Sequence, residues 1–358
     1  MPSQDVTSRL AHALADRYDA NQYAVTTAQS LRWTDSTPLV GVRVLDCTPL
    51  FRNTLAKFIP LVAAGAELTV GVHPGIPADP AVVELLPSLG IPVLHTDESA
   101  PPRFDVVLDC AGRHKDVEST YGYVELTHSG LSAYLSTTRP VVIVDHSPLK
   151  LLETMFGTGE SFLRALQQLG YEPSGGPVVI IGGGKVGSGI AYGARQNGLD
   201  ALIIDNPATA ANYANVPVID VSDRDAVAAA IERAWTVVTA TGVPGAAAPF
   251  AADLIKSSAI VANMGVDDEF GSGVPQDRVL NNKRPVNFTL EEPTLLRYMD
   301  PIFALSNASA VALVRGEVPN GVHPPNASTQ DDITTIMRET RTYTDELDAI
   351  AQISNLRT

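Results

Sequence analysis

Short apolar runs without a single polar residue recur along the chain and constrain its fold more than any other feature. VVIV at 141–144 and VVII at 178–181 are the clearest examples. Strands that are apolar at every position are covered on both faces, which is typical of a parallel sheet flanked by helices. The chain therefore predicts an α/β architecture.

The runs fall into two series. The pattern predicts strands near 39–45, 67–72, 92–94, 105–108 and 141–144, then near 178–181, 201–204, 216–219, 237–239, 260–262 and 286–288. Between the series, 149–169 has apolar residues at helical spacing and runs into a cluster of Gly, Pro and Ser at 170–177. We expect two doubly wound domains, the second of which begins its sheet directly after that cluster.

A glycine-rich turn after the run at 178–181 matches G-x-G-x-x-G at Gly182, Gly184 and Gly187. The first glycine permits a tight turn, the second lets the backbone approach a pyrophosphate, and the third lets the helix pack closely on the strand. The first N–H groups of that helix can bind phosphate. The turn predicts a Rossmann-like dinucleotide site, although a tight turn without a ligand would show the same letters.

The next apolar run ends in Asp205, 18 residues beyond Gly187. A carboxylate there can accept hydrogen bonds from both hydroxyls of an adenosine ribose, and it repels the extra phosphate of NADP. The position predicts NAD as the cofactor. The alternative is that Asp205 only caps a turn or helix.

The composition excludes several classes of function. The chain has 358 residues, enough for two domains, and a net charge of -15 argues against binding nucleic acid or an anionic membrane. No apolar run approaches the ~20 residues of a membrane helix, and the charged start is unlike a secretory signal, so we expect a cytoplasmic protein. Cys47 and Cys110 are expected to be buried thiols, and no ligand spacing predicts a metal site.

Nine short segments resemble, in the same order, motifs of the S-adenosylhomocysteine hydrolase family. They are GAELTV at 65–70, LDCAG at 108–112, VESTYG at 117–122, MFGTGES at 155–161, GGGKVG at 182–187, TATG at 239–242, ANMG at 262–265, SNAS at 306–309 and GVH at 321–323. The family uses bound NAD to oxidise the 3′-hydroxyl of an adenosine ribose. The ketone makes the 4′ proton acidic, so that elimination or addition can follow at C5′.

The resemblance implies an NAD domain inserted in a split substrate domain. It assigns 1–147 and 301–330 to the substrate domain, 148–300 to the NAD domain and 331–358 to a C-terminal helix for oligomerisation. We expect that helix from Asp331 to Leu356, with Asp331 and Asp332 in its first turn, and an ordered loop at Pro319–Asn326. A homo-oligomer, dimer or tetramer, would follow.

The resemblance also implies site residues. Glu118 corresponds to a ribose-binding glutamate, while the implied cofactor contacts are Gly182, Gly184, Lys185, Val186, Gly187, Asp205, Ser119, Thr120, Tyr121, Thr241, Gly242, Met264, Gly265 and Asn287. With a one-residue deletion, Lys150, Glu153 and Thr154 stand for the family's catalytic Lys, Asp and Asn, and on a helix they would share one face. The alternative is an exposed Glu–Lys pair.

The chain departs from the family where the leaving group is handled. Pro49, Val266 and Asp300 stand at positions of family histidines, and Cys110 or Arg113 replaces an acidic residue. Asp300 would either act as an acid or base or merely begin a turn before Pro301. His323 would either line the pocket or bind backbone.

We therefore expect an NAD-dependent enzyme that transiently oxidises a ribose-type 3′-hydroxyl of an adenine nucleoside. It would then eliminate water at the neighbouring exocyclic carbon, as in the biosynthesis of nucleoside antibiotics. The alternatives are the family's hydrolase reaction with substituted acid–base residues, a non-catalytic NAD-binding regulator, and a net dehydrogenase.

Overall fold

The computed structural model describes residues 2–96, 103–211 and 213–355. The chain divides into two compact units: unit 1 comprises residues 1–150 and 296–358, and unit 2 comprises Leu151–Leu295. Each unit contains one sheet, and all of the pairings described between strands are parallel. The predicted α/β class with two Rossmann-like sheets is confirmed.

The sheet of unit 1 has the order β12-β6-β5-β4-β1-β2-β3, and that of unit 2 has the order β11-β10-β7-β8-β9. Within the described residues the strands are β1 (Arg43–Asp46), β2 (Glu67–Val72), β3 (Val93–His95), β4 (Phe104–Asp109), β5 (Ser119–Glu125), β6 (Pro140–Ile143), β7 (Val178–Ile181), β8 (Ala201–Asp205), β9 (Val218–Asp220), β10 (Thr236–Thr239), β11 (Ile260–Asn263) and β12 (Gly321–His323). Chain order reverses between β1 and β4 in the first sheet and between β7 and β10 in the second. Ligands of such sheets bind beyond the carboxyl ends of the strands at this point.

Helices pack around these sheets. The described residues form the α-helices α1 (Pro2–Ala15), α2 (Ala24–Ser36), α3 (Leu55–Ala63), α4 (Pro80–Leu89), α5 (Leu131–Tyr134), α6 (Thr158–Gln168), α7 (Lys185–Gln196), α8 (Arg224–Arg233), α9 (Ala251–Lys256), α10 (Leu296–Val314), α11 (Ala327–Thr340) and α12 (Thr344–Asn355). None of the helices in the described ranges is both long and apolar enough to cross a membrane.

Strand β7 shows why its run is apolar at every position. Val178 and Ile180 belong to one buried cluster, whereas Val179 and Ile181 belong to another. Because successive side chains of a strand point to opposite faces, each face of the sheet is covered by its own apolar layer. The continuous run is the direct consequence of this double burial.

The strands differ from the expectation in three places. Residues Val286–Thr289 form a 3-10 helix after Pro285 and not a strand. Strand β5 was not expected, because STYGYVE carries polar side chains and a glycine with φ of 130° at Gly122. The expected loop at 319–326 contains the short strand β12, which pairs with β6.

The segment expected as one helix over 149–169 changes its winding along its length. It begins with a 3-10 helix at Pro148–Lys150, continues as a π-helix at Leu152–Gly157 and becomes α6. A Cβ on Gly189 of α7 would overlap the carbonyl of Met155, so the π-helix packs directly against the backbone of α7. Such π segments are frequent at functional sites.

The C-terminal residues form two helices where one was expected. Helix α11 ends at a left-handed Arg341 (φ 56°), and α12 follows. Asn326 caps α11 through a 2.8 Å hydrogen bond from the N–H of Thr329, so Asp331 and Asp332 lie beyond its first turn. The expected end of this helix, Leu356, lies outside the described residues.

Candidate functional site

The glycine-rich turn lies between β7 and α7, at the point where unit 2 reverses its strand order. A Cβ on Gly182 (φ 109°) would lie 2.6 Å from the carbonyl oxygen of Ala240, and one on Gly187 would overlap the carbonyl oxygen of Gly182. These two glycines are therefore required by the close approach of backbone. At Gly184, by contrast, no atom lies within 4 Å of an added Cβ. Open space thus adjoins the N-cap of α7.

The first turn of α7 faces that space with groups that favour an anion. Helix geometry leaves the first N–H groups without intrahelical acceptors. Lys185, the first residue of the helix, adds a positive charge at the positive end of the helix dipole. With Val186 and Gly187 in the same turn, these features fit the pyrophosphate of a dinucleotide.

Asp205 lies at the carboxyl end of β8, next to this turn. Its Oδ2 accepts a 2.6 Å hydrogen bond from the N–H of Gly183, and its Oδ1 accepts one of 2.7 Å from Asn206. The carboxylate therefore caps its own turn and at the same time ties β8 to the glycine-rich turn. It is only half-buried, which leaves part of it accessible to a ligand.

Thr241 and Gly242, after β10, surround a buried carboxylate that the sequence did not indicate. Glu269 accepts the N–H of Thr241 at 2.9 Å and that of Gly242 at 2.6 Å. A Cβ on Gly265 would overlap the same carboxylate. Three predicted cofactor residues are thus gathered around Glu269, which holds their loops in place.

Asn263, at the end of β11, fixes the neighbouring segment. Its Oδ1 accepts the N–H of Gly265 at 2.8 Å, and its Nδ2 donates to the carbonyl of Lys283 at 2.6 Å. Met264 and Asn287, both expected from the resemblance to contact the cofactor, are buried. Asn263 stands in the ANMG motif of the sequence, whereas no pattern indicated Glu269, whose partners are backbone groups brought together only by folding.

In unit 1, buried charged groups follow several strand ends. Asp46, Asp109 and Glu125 end β1, β4 and β5, and each is almost fully buried. Asp46 forms a buried ion pair with Lys57 on α3. Burial of charge is costly unless it is compensated, so this concentration at one edge points to a functional site.

Asp109 organises the loop that follows β4. One oxygen lies 2.8 Å from Nδ1 of His114, and the other accepts a 2.5 Å hydrogen bond from the hydroxyl of Tyr134. Burial, with the charge of Asp109 adding to it, raises the pKa of the Tyr134 hydroxyl well above its usual range, so the tyrosine stays a donor. His114 in turn lies 2.8 Å from Oγ1 of Thr96.

Glu125 holds the next loop through backbone donors. Its carboxylate accepts the N–H groups of Ala111 at 3.0 Å, Gly112 at 2.9 Å and Thr127 at 2.8 Å. Burial raises the pKa of Glu125, the charge of Asp109 raises it further, and the hydrogen bonds from Thr127 and Gly112 oppose this rise. A Cβ on Gly130 would overlap the carboxyl group, so the chain after β5 is fixed closely against it.

Lys150 lies at the same edge, just beyond β6. Its side chain is only 1% exposed, and Nζ donates a 2.9 Å hydrogen bond to the carbonyl of Leu126. An exposed Glu–Lys pair is therefore excluded. Glu153 and Thr154 are half-buried in the π-helix, so the regular α-helical face expected for the three residues is not formed.

Glu118, Ser119, Thr120 and Tyr121 lie at the opposite edge of the sheet, where β5 begins. Glu118 is exposed and pairs with Arg103 at 3.5 Å, while Thr120 donates to Asp105 at 2.8 Å. Since parallel sheets bind ligands beyond their carboxyl ends, this placement does not support the expected ribose and NAD contacts. This placement follows from the direction of β5, a strand that was not expected from the sequence.

Asp300 is enclosed by the start of α2. Its carboxylate accepts the N–H groups of Val25 at 2.7 Å and Thr26 at 2.9 Å, and the hydroxyl of Thr26 at 2.6 Å. This geometry is that of a helix cap supplied from a distant helix, and it does not support the expected acid–base role. His323 lies 3.0 Å from the carbonyl of Asn320, which fits the backbone-binding alternative.

Comparison with known proteins finds one similar sequence and structures of similar fold. No protein-family model matches the chain. The S-inosyl-L-homocysteine hydrolase of Methanopyrus kandleri is 26% identical over an alignment of 339 positions, and the match covers 79% of this chain and 79% of that protein. The crystal structure of one chain of the dipicolinate synthase from Bacillus halodurans matches 77% of this protein and 98% of its own length, with a TM-score of 0.50 and 13% identity. A transhydrogenase from Sinorhizobium meliloti covers 75% of this chain and 95% of its own, with a TM-score of 0.44 and 15% identity.

The match to the dipicolinate synthase shows an α/β fold of Rossmann type and nothing more specific. The similarity to the S-inosyl-L-homocysteine hydrolase agrees with the motif resemblance and extends along most of the chain.

Proposed function

We propose that the protein is an NAD-dependent enzyme acting on a purine nucleoside. It transiently oxidises the 3′-hydroxyl of the ribose and drives elimination, most simply of water, at the neighbouring exocyclic carbon. The observation that carries the proposal is the buried ammonium group of Lys150, held at the carboxyl edge of the unit 1 sheet by the carbonyl of Leu126.

The residues of unit 2 fit NAD. The open space at Gly184 and the first turn of α7 would hold the pyrophosphate, and Asp205 would bind the adenosine ribose. When bound, NAD supplies the acceptor for the ribose hydride and returns it at the end of the cycle. Glu269 and Asn263 act as positioning residues for the loops at 241–242 and 264–265.

Lys150 stabilises negative charge on the substrate oxygen. The oxygen at carbon 3′ is most negative while the alcohol loses its proton and while the ketone activates the 4′ C–H bond. A fixed, water-excluded cation stabilises that charge more strongly than it would in water. Glu125 positions the loops at 111–112 and 127, because its oxygens are occupied by backbone donors.

Hydrolysis of a nucleosidyl homocysteine is the second candidate. The similarity to an S-inosyl-L-homocysteine hydrolase favours it. Against it stand Pro49 and Val266 at two histidine positions of the resembled family, and the use of Asp300, at the third, as a helix cap.

A single assay distinguishes these reactions. The protein is incubated with NAD and, separately, with adenosine, inosine and their homocysteine thioethers, and product mass, free thiol and reduced nicotinamide are followed. Loss of water without net reduction of NAD is the expected result. Thiol release supports the hydrolase, stoichiometric NADH indicates a dehydrogenase, and tight NAD binding without turnover indicates a regulator.

The variant Lys150→Ala tests the assigned oxygen-stabilising group. Removing one preorganised group of this kind costs about 10²–10³-fold in kcat. Undiminished turnover by this variant would refute the assignment.

A further inference from the structure

Two histidines follow the ends of adjacent strands at the edge that holds Lys150. His128 lies three residues beyond the end of β5, and His146 lies three residues beyond the end of β6. The strands are parallel neighbours, so both imidazoles come to the carboxyl edge, with ring centroids 5.9 Å apart. Neither residue has a role in the chemistry described so far.

The two imidazoles are accessible, and a shielded carboxylate lies beside them. The side chain of His128 is 70% exposed, whereas that of Asp145 is 11% exposed, and His128 Nδ1 lies 4.0 Å from Asp145 Oδ2. His146 is exposed as well. At 4.0 Å the carboxylate lies beyond hydrogen-bond distance of the ring, so it contributes a negative charge on one side of the imidazole and leaves the other ring nitrogen accessible.

The loop that carries His128 is held rigidly. The hydroxyl of Thr127 donates to Glu125 at 2.6 Å and lies 3.0 Å from that of Ser129. His128 then begins a 3-10 turn that ends at Gly130, where no side chain would fit beside Glu125. Catalytic groups need such support, because a loosely held group loses its advantage of orientation.

The same loop connects His128 to Lys150. The carbonyl that accepts the hydrogen bond of Lys150 Nζ belongs to Leu126, two residues before His128. The cation that would stabilise the 3′ oxygen and the imidazole are therefore fixed by one short stretch of chain. Within the described ranges, no group of three or more His, Cys, Asp or Glu side chains is arranged to hold a metal ion.

We propose that His128 and His146 are the acid–base pair of the elimination, an inference that rests on the proposed function. His146 takes the proton from carbon 4′, and the electrons of that C–H bond form the double bond between carbons 4′ and 5′. The bond from carbon 5′ to oxygen breaks, and protonated His128 gives its proton to the departing hydroxyl, which leaves as water. The proton on His146 then returns to His128, so the pair ends as it began.

The test separates the steps with His128→Gln and His146→Gln, using His12→Gln on α1 as the matched control. Nicotinamide reduction, deuterium uptake at carbon 4′ in heavy water, and product formation are measured. Loss of one general acid or base costs about 10²–10⁴-fold. His128→Gln should lose product formation by that factor while it retains reduction and exchange, whereas His146→Gln should also lose exchange.

A substrate with a good leaving group gives an independent readout. A 5′-chloro-5′-deoxynucleoside needs no proton donor, so His128→Gln should process it at nearly the wild-type rate. Product formation from the hydroxyl substrate within about twofold of wild type in both variants would overturn the inference, as would loss of nicotinamide reduction in His128→Gln. Failure of the wild-type protein itself to reduce NAD with any nucleoside would instead refute the proposed function.

Discussion

Asp205 and Gly183 are joined by a 2.6 Å hydrogen bond from the glycine N–H to the aspartate Oδ2. The acid that would choose between NAD and NADP therefore also fixes the turn that would hold the phosphates. Under the proposed function, selectivity and affinity for NAD would be coupled through one carboxylate. Changing it should affect both.

We expect Asp205→Ala to weaken NAD binding by roughly tenfold and to raise the affinity for NADP relative to NAD, because the repulsion of the 2′-phosphate disappears. Stability should fall by about 1–3 kcal/mol, since the N–H of Gly183 loses its acceptor. Calorimetric titration with both cofactors measures the preference. Asp225→Ala, in the exposed first turn of α8, is the control and should leave the ratio unchanged. An unchanged ratio in Asp205→Ala would show that the acid does not face the ribose.

The two alanine variants Gly184→Ala and Gly187→Ala should separate folding from cofactor binding. An added Cβ meets no atom at Gly184 but overlaps the carbonyl oxygen of Gly182 at Gly187. The free energy of unfolding of Gly184→Ala should therefore lie within about 0.5 kcal/mol of the wild-type value, and yet this variant should bind NAD at least roughly tenfold more weakly. The free energy of unfolding of Gly187→Ala should be lower than that of wild type by several kcal/mol. Equal NAD affinity in wild type and Gly184→Ala, measured by fluorescence titration, would argue against phosphate binding at this position.

Glu269 provides a test of loop positioning. Its carboxylate accepts the N–H groups of both Thr241 and Gly242, and Glu269→Gln would turn an amide donor toward one of them. An unsatisfied buried group costs about 1–3 kcal/mol, so urea unfolding should show a loss of that size together with weaker NAD binding. The exposed Glu232→Gln on α8 is the control. Wild-type stability in Glu269→Gln would mean that the loop does not depend on this carboxylate.

The sequence predicted best where one local cause decides the structure. The run at 178–181 is apolar on both faces, and the strand forms over those residues because both of its faces are covered. Gly182 was expected at a tight turn and Gly187 where the helix packs on the strand, and backbone crowds both positions: an added Cβ would lie 2.6 Å from the carbonyl oxygen of Ala240 at Gly182 and would overlap the carbonyl oxygen of Gly182 at Gly187.

Prediction from the sequence failed where a residue's environment is set by residues distant in the chain. Glu269 follows Asp267 and Asp268 in one acidic stretch, but only Glu269 is deeply buried, because the N–H groups that neutralise it come from another loop. Strand β5 is polar at its start and was therefore not predicted. Without the strand, nothing indicated at which edge of the sheet Glu118 lies, and Glu118 was expected in the site. The structure places Glu118 at the start of the strand and Glu125 at its end.

Asp300 gives a prediction for the pH dependence of stability. Burial raises its pKa to about 6 from an ordinary value of 3.8, although the hydrogen bonds from Thr26 and Val25 oppose this rise. Between these two pKa values the folded protein keeps the proton that the unfolded chain releases. The stability contributed by this proton on Asp300 is therefore full below pH 3.8 and is lost as the pH rises through about 6. A difference of about two pKa units corresponds to about 3 kcal/mol.

The neutral variant Asp300→Asn removes this titration while it preserves the size of the side chain. The difference in stability between this variant and wild type has two parts. One is constant and comes from the lost hydrogen bonds, and the other varies with pH because Asp300 titrates only in wild type. We expect wild type to lose up to about 3 kcal/mol relative to Asp300→Asn between about pH 4 and pH 6. Urea unfolding of both proteins across this range measures the difference. A difference that stays level with pH would show that Asp300 is ionised in the folded protein throughout, because its helix-capping donors then outweigh the cost of burial.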